Sequence, residues 1–130
     1  MRTEIMQMGE PIRLQTLARA KDFEAYIRPD GIELVTGRKG TPCFIETAEA
    51  EACIGHFRQR GWFALGNNMT AVQPNGLGEY FQQSMGKSPK FASHFAALMV
   101  SQNKLECRRD NGKIELKVKS SERSNITNTP

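Results

Sequence analysis

From Phe23 onward the hydrophobic positions alternate. Phe23, Ala25 and Ile27, then Ile32 and Leu34, are each one residue apart, with Pro29-Asp30-Gly31 between the two runs. A period of two is that of a strand with one buried face, so 23–28 and 32–36 are expected to form a β-hairpin. Pro presets φ for the first turn position, Asp hydrogen-bonds locally, and Gly31 is expected at positive φ. Gly37-Arg38-Lys39-Gly40 reads as a second turn and Cys43-Phe44-Ile45 as a third short strand. Ahead of them, residues 1–9 show no period and are expected to fray. Behind Pro11, the spacing of Ile12, Leu14 and Leu17 suits a short helix or a strand.

The period changes at Thr47, which is expected to cap a helix over 48–60. Glu49 and Glu51 stand in its first turn, where the helix dipole favours negative charge. Ala50, Cys53, Ile54 and Phe57 recur at helical spacing. Arg58 and Arg60 follow in the last turn, and Gly61 can end it in the left-handed conformation. Trp62–Leu65 is a short strand and 66–76 a loop. Leu77, Tyr80 and Phe81 mark a second helix over 77–84, and Met85-Gly86-Lys87 a turn. Ser88-Pro89 is a helix start, because Pro at the first helical position loses no hydrogen bond. Phe91, Ala92, Phe95, Leu98, Met99 and Gln102 carry that third helix to about residue 102.

Asn111-Gly112 then joins two alternating runs, the pairing preferred by a type I′ hairpin turn. This sets a register: Arg108 opposite Glu115, Glu106 opposite Lys117, Cys107 opposite Leu116, Leu105 opposite Val118. Opposite charges line one face and apolar pairs the other, each pair contributing about 0.2–1 kcal/mol. A slip of one residue would destroy both sets. Residues 119–130 hold one aliphatic side chain, Ile126, and are expected to be disordered.

Composition narrows the chemistry. The chain of 130 residues is 38% hydrophobic and 25% charged, enough for one domain with a real core. No run reaches the roughly 18 apolar residues of a membrane span, and the N-terminus lacks the apolar stretch of a secretory signal. The expectation is a soluble, cytoplasmic protein. Cys43, Cys53 and Cys107 each sit in an apolar context and read as buried free thiols. Cys53 and His56 would supply only half of a zinc set. Gly86-Lys87-Ser88 copies the end of a phosphate-binding loop, but Phe81 stands where that motif needs its opening glycine. Asn68-Met69-Thr70 and Asn125-Ile126-Thr127 match the glycosylation pattern, which matters only in a secreted protein. His56 and His94 are the two histidines, and no spacing joins either to a nucleophile. No catalytic residue, metal or cofactor is expected.

From Thr47 the elements run helix, strand, helix, turn, helix, hairpin. Phe81, Gly86, Ala92 and Phe95 fall where a helix-turn-helix has apolar, glycine, small and apolar residues. The run from Phe95 through Leu105, Glu106, Arg108, Arg109 and Gly112 to Lys113 is similar to the recognition-helix end and wing of bacterial regulators. Residues 47–118 thus resemble the winged helix-turn-helix superfamily. The resemblance implies an α+β fold in which a winged-helix domain follows an N-terminal β-hairpin extension, residues 1–46. It also implies double-stranded DNA as partner and a bacterial or mobile-element transcriptional regulator as function. Lys87, Ser88 and Lys90 would then meet phosphates at the start of the third helix. Ser93, His94 and Ala97 would face base edges, and Arg108, Arg109 and Lys113 would grip the backbone from the wing.

Charge agrees with that expectation. Residues 87–130 hold nine Lys/Arg against four acids, whereas 1–86 hold nine against ten. The strands at 23–36 and 43–45 could pair between two copies in a homodimer. The rival is a protein-interaction module, an inhibitor or assembly adaptor on the same scaffold, with Trp62, Tyr26 or Tyr80 as anchor. Under the DNA reading, replacing Arg108 and Arg109 by Ala should weaken binding to every duplex and flatten its salt dependence. Unchanged affinity in a salt-titrated gel shift would count against the wing.

Overall fold

The alternating front of the chain folds as a four-stranded antiparallel meander. A computed structural model describes residues 11–36, 41–66, 73–110 and 112–119. In it β1 (Ile12–Gln15), β2 (Asp22–Arg28), β3 (Gly31–Thr36) and β4 (Thr41–Glu46) lie in sequence order. Of the two conformations open to the stretch behind Pro11, the strand is the one adopted, with Leu14 opposite Phe23. The second turn at 37–40, the fraying of 1–9 and the tail 120–130 lie outside the described residues.

The β2–β3 hairpin has a tighter turn than expected. Arg28 pairs with Gly31, so Pro29-Asp30 alone make the turn. Gly31 is not among the residues with positive φ, which corrects the reason for a glycine there. A Cβ on Gly31 would press on the Ile45 carbonyl oxygen and lie 2.7 Å from Phe44 Cζ. The residue is small because β4 crosses close beside it.

Helices α1 (Thr47–Phe57), α2 (Leu77–Ser84) and α3 (Phe91–Ser101) follow, with β5 (Phe63–Ala64) between the first two. Glu46, not Thr47, caps α1. The Thr47 amide donates to the Asp30 carbonyl of the β2–β3 turn (3.0 Å), and the Glu49 carboxylate accepts from Glu46 N–H (3.0 Å). Helix α3 starts through one tight turn, in which the Phe91 and Ala92 amides donate to the Ser88 and Pro89 carbonyls. It ends on Asn103 at φ +66, where the Lys104 amide donates to the Met99 carbonyl (2.8 Å).

The hairpin β6 (Leu105–Asp110) and β7 (Lys113–Val118) has the register read from the sequence, with Gly112 at φ +78. Strand β5 adds to β7, so the second sheet runs β5-β7-β6. Helix α1 touches β3, β4 and β7, and α3 touches β1, α2 and β6, so both helices contact both sheets. One hydrophobic cluster runs from Phe23 to Val118. The inward residues of the first sheet (Phe23, Ala25, Ile32, Leu34, Cys43, Ile45) pack in the same cluster as Phe57, Phe81, Phe95 and Leu116. The fold is therefore mixed α+β, with three helices and two antiparallel sheets among the described residues. Strands β2, β3 and β4 contribute to its core as the helices do.

Two glycines check the packing. Gly31→Ala should cost about 1–3 kcal/mol through overpacking against β4. Gly55→Ala, inside α1 with nothing within 4 Å of its Cβ position, should gain about 0.5–1 kcal/mol. Urea midpoints with unchanged slopes would register both.

Candidate nucleic-acid interface

Helix α3 is the element on which base reading depends, and its sequence leaves little to read with. Of its eleven residues, Phe91, Ala92, Ser93, Phe95, Ala96, Ala97, Leu98 and Met99 are buried. An α-helix apolar on every side must be covered on every side. The loop between β1 and β2 supplies the cover. Thr16 is itself buried, its hydroxyl accepts from the Lys21 amide and its carbonyl from the Ala20 amide (3.0 Å each). The loop so closed lays Leu17 and Ala18 against α3. There the Ala18 amide donates to Ser93 Oγ at 3.0 Å.

Ser93 is 2% exposed and Ala97 6%. Both were expected to face base edges, and both face the core instead. His94 is half-buried, with its ring edge-on to Phe23 (centroids 4.9 Å) and tilted against Phe91 (5.5 Å). Its Nδ1 donates to the Lys90 carbonyl (3.1 Å). Burial lowers its pKa from the ordinary 6.5; the backbone bond opposes this shift and the Lys90 charge adds to it. The imidazole is thus a packing group.

The cations proposed for phosphate are dispersed. Lys87 lies 3.6 Å from Glu49 of α1, and Lys90 sits over the Phe91 ring at 5.2 Å. Ser88 Oγ accepts from the Lys90 amide (3.3 Å). Arg108 is held by Glu115 at 2.7 Å and stacks on Trp62 at 4.0 Å, with Lys117 5.9 Å from the same ring. Arg109 reaches back across the fold and donates to the Leu17 carbonyl at 2.8 Å, so it clamps the covering loop. Lys113 is exposed near the hairpin turn. Lys104 and Lys119 stand at the other end of α3, where Lys119 Nζ donates to Asn103 Oδ1. The structure thus brings Arg108 beside Trp62 and Arg109 beside the loop, but it does not gather the cations on one face of α3.

Strands β2 and β3 are interior, hydrogen-bonded on both sides, so 23–36 has no open edge to pair with a second copy; 43–45 lies in β4, which with β1 is an edge of the sheet. Cys43 and Cys53 are buried free thiols, burial pushing the Cys53 pKa up to about 12, and Cys107 is half-buried. Among the described residues no group of three His, Cys, Asp or Glu could hold a metal ion, and no helix is long and apolar enough to cross a membrane. Sequence reasoning missed the Leu17–Ala18 cover. Its bond to Ser93 joins residues 75 apart, and no local pattern encodes it. No family model, curated protein or solved structure matches this chain.

Two substitutions test the cover. Ser93→Ala leaves the Ala18 amide without its acceptor and should cost about 1–3 kcal/mol. His94 is more easily protonated unfolded than folded. Its contribution to stability is complete above the ordinary 6.5 and is lost as pH falls below that value. His94→Gln should therefore flatten the decline of urea-midpoint stability as pH falls below 6.5, while His56, whose pKa burial also lowers, keeps its own part.

Proposed function

We propose that this chain is a non-enzymatic protein-interaction module on a winged-helix-type scaffold, with its N-terminal sheet built into the core. The scaffold reading is supported by the element order over 47–118 and by the sheet order β5-β7-β6, in which the strand between the first two helices joins the far strand of the wing. The binding reading is carried by one observation, the loop seated on α3 through the Ala18–Ser93 bond. A helix must enter the major groove with its polar side bare to read base edges. The buried residues of α3 include no Lys, Arg, Asn or Gln, so uncovering them would present no cation or amide to a base. Function therefore falls to the outer surfaces.

A second reading is favoured by the charge asymmetry of residues 87–130. It is a duplex-DNA regulator that grips the backbone through Lys90, Arg108 and Lys113 without base readout by α3. A gel shift with random and mixed-sequence duplexes at physiological salt separates the two. The interaction module should bind no tighter than non-specific association, about 10⁻⁴–10⁻⁶ M, with no preference among sequences. A nanomolar, sequence-selective complex, weakened by Lys113→Ala, would overturn it in favour of the regulator.

A further inference from the structure

The turn end of the first sheet lies against the start of α1, where the Thr47 amide donates to the Asp30 carbonyl. Strand alternation directs Ile27 toward the core side, opposite Ile32, yet Ile27 remains 38% exposed. It stands at the mouth of a groove of about 740 Å³ between the β2–β3 turn, α1 and the C-terminal end of α3. That volume is within the roughly 300–1,000 Å³ usual for ligand clefts, which favour junctions between packed units. Ile32, Ile54, Met99 and Val118 complete an apolar floor, and Arg28, Arg58 and Lys104 stand around it against one carboxylate, Glu51. The α3 C-terminus adds little negative field here, because its last carbonyls already accept the Gln102, Asn103 and Lys104 amides.

We infer that this groove binds an acidic peptide segment of a partner protein, an aliphatic side chain entering beside Ile27 with flanking carboxylates meeting Lys104, Arg58 and Arg28. The inference rests on the interaction-module reading. Charge complementarity favours the acidic partner: among the described residues the lining holds three cations and one acid, and the balance stays positive with Glu33 counted against Arg28, which favours an acidic segment over a basic one. The floor favours a peptide over a nucleic acid. Among the described residues no aromatic ring lines the groove, so an unstacked base would find no platform, whereas branched aliphatic walls match a leucine or isoleucine. The Arg28 guanidinium is shared with Glu33 at 2.7 Å, so Lys104, exposed at the α3 end, is the cation whose change is most directly read.

Fluorescence anisotropy with a labelled peptide alternating glutamate and leucine tests this, against a counterpart alternating lysine and leucine. The acidic peptide should saturate and the basic one should not. Lys104→Glu and Ile27→Ser should each weaken the complex about tenfold, while Lys113→Ala on the hairpin leaves it unchanged. Thermal melts establish that each variant is folded. No saturation up to about 1 mM, equal binding of the basic peptide, or indifference to both groove variants would overturn the proposal. So would self-association in sedimentation that Lys104→Glu abolishes, since the groove would then belong to a second copy. Failure of the peptide titration alone removes the groove. Tight, selective duplex binding in the gel shift removes the interaction module itself.

Discussion

A helix with eight of its eleven residues buried needs a partner on every side, and that requirement organises the molecule. On one side α3 meets α2, with Phe95 and Phe81 in ring contact at 5.6 Å. On another it meets β6 of the second sheet. The side a DNA-reading helix would keep bare meets β1 and the loop behind it. The Ser93 hydroxyl, buried in that contact, accepts from the Ala18 amide, so the cover leaves no unpaired buried polar group at Ser93. Arg109 fastens the same loop from the hairpin. The first sheet is therefore not an appendage.

This arrangement redistributes the charge. A hairpin arginine engaged on a backbone carbonyl and another held between Glu115 and Trp62 are structural cations first. Exposed lysines remain near the hairpin turn and at the C-terminal end of α3. An apolar groove opens at that end, between the β2–β3 turn, α1 and the end of α3. One feature, the β2–β3 hairpin, helps close the core, supplies the Asp30 carbonyl that accepts from the first amide of α1, and leaves Ile27 38% exposed.

Local chemistry was legible in the residues. The β6–β7 register followed from Asn111-Gly112 and from charge pairing, and all four named pairs are observed. The helix starts at Glu46–Glu49 and Ser88–Pro89 were found to within a residue or two, because caps and prolines act over single turns. The burial of α3 was also legible, and was misread. Ala92, Ala96 and Ala97 beside Phe91, Phe95, Leu98 and Met99 leave no polar stripe, and Ala97 was assigned to a base edge by analogy with a familiar arrangement. What no local pattern held was the long-range placement of the loop. Nor could alternation say that Ile27, directed inward, would stay 38% exposed.

The central claim is that the N-terminal sheet and α3 form one cooperative unit. Native-state hydrogen exchange as a function of denaturant measures this directly. The amides of β2 and β3 and those in the middle of α3 should exchange through the same global opening, with one free energy and one denaturant slope. Exchange of β2 and β3 through a separate, lower-energy opening while α3 keeps its full protection would contradict it.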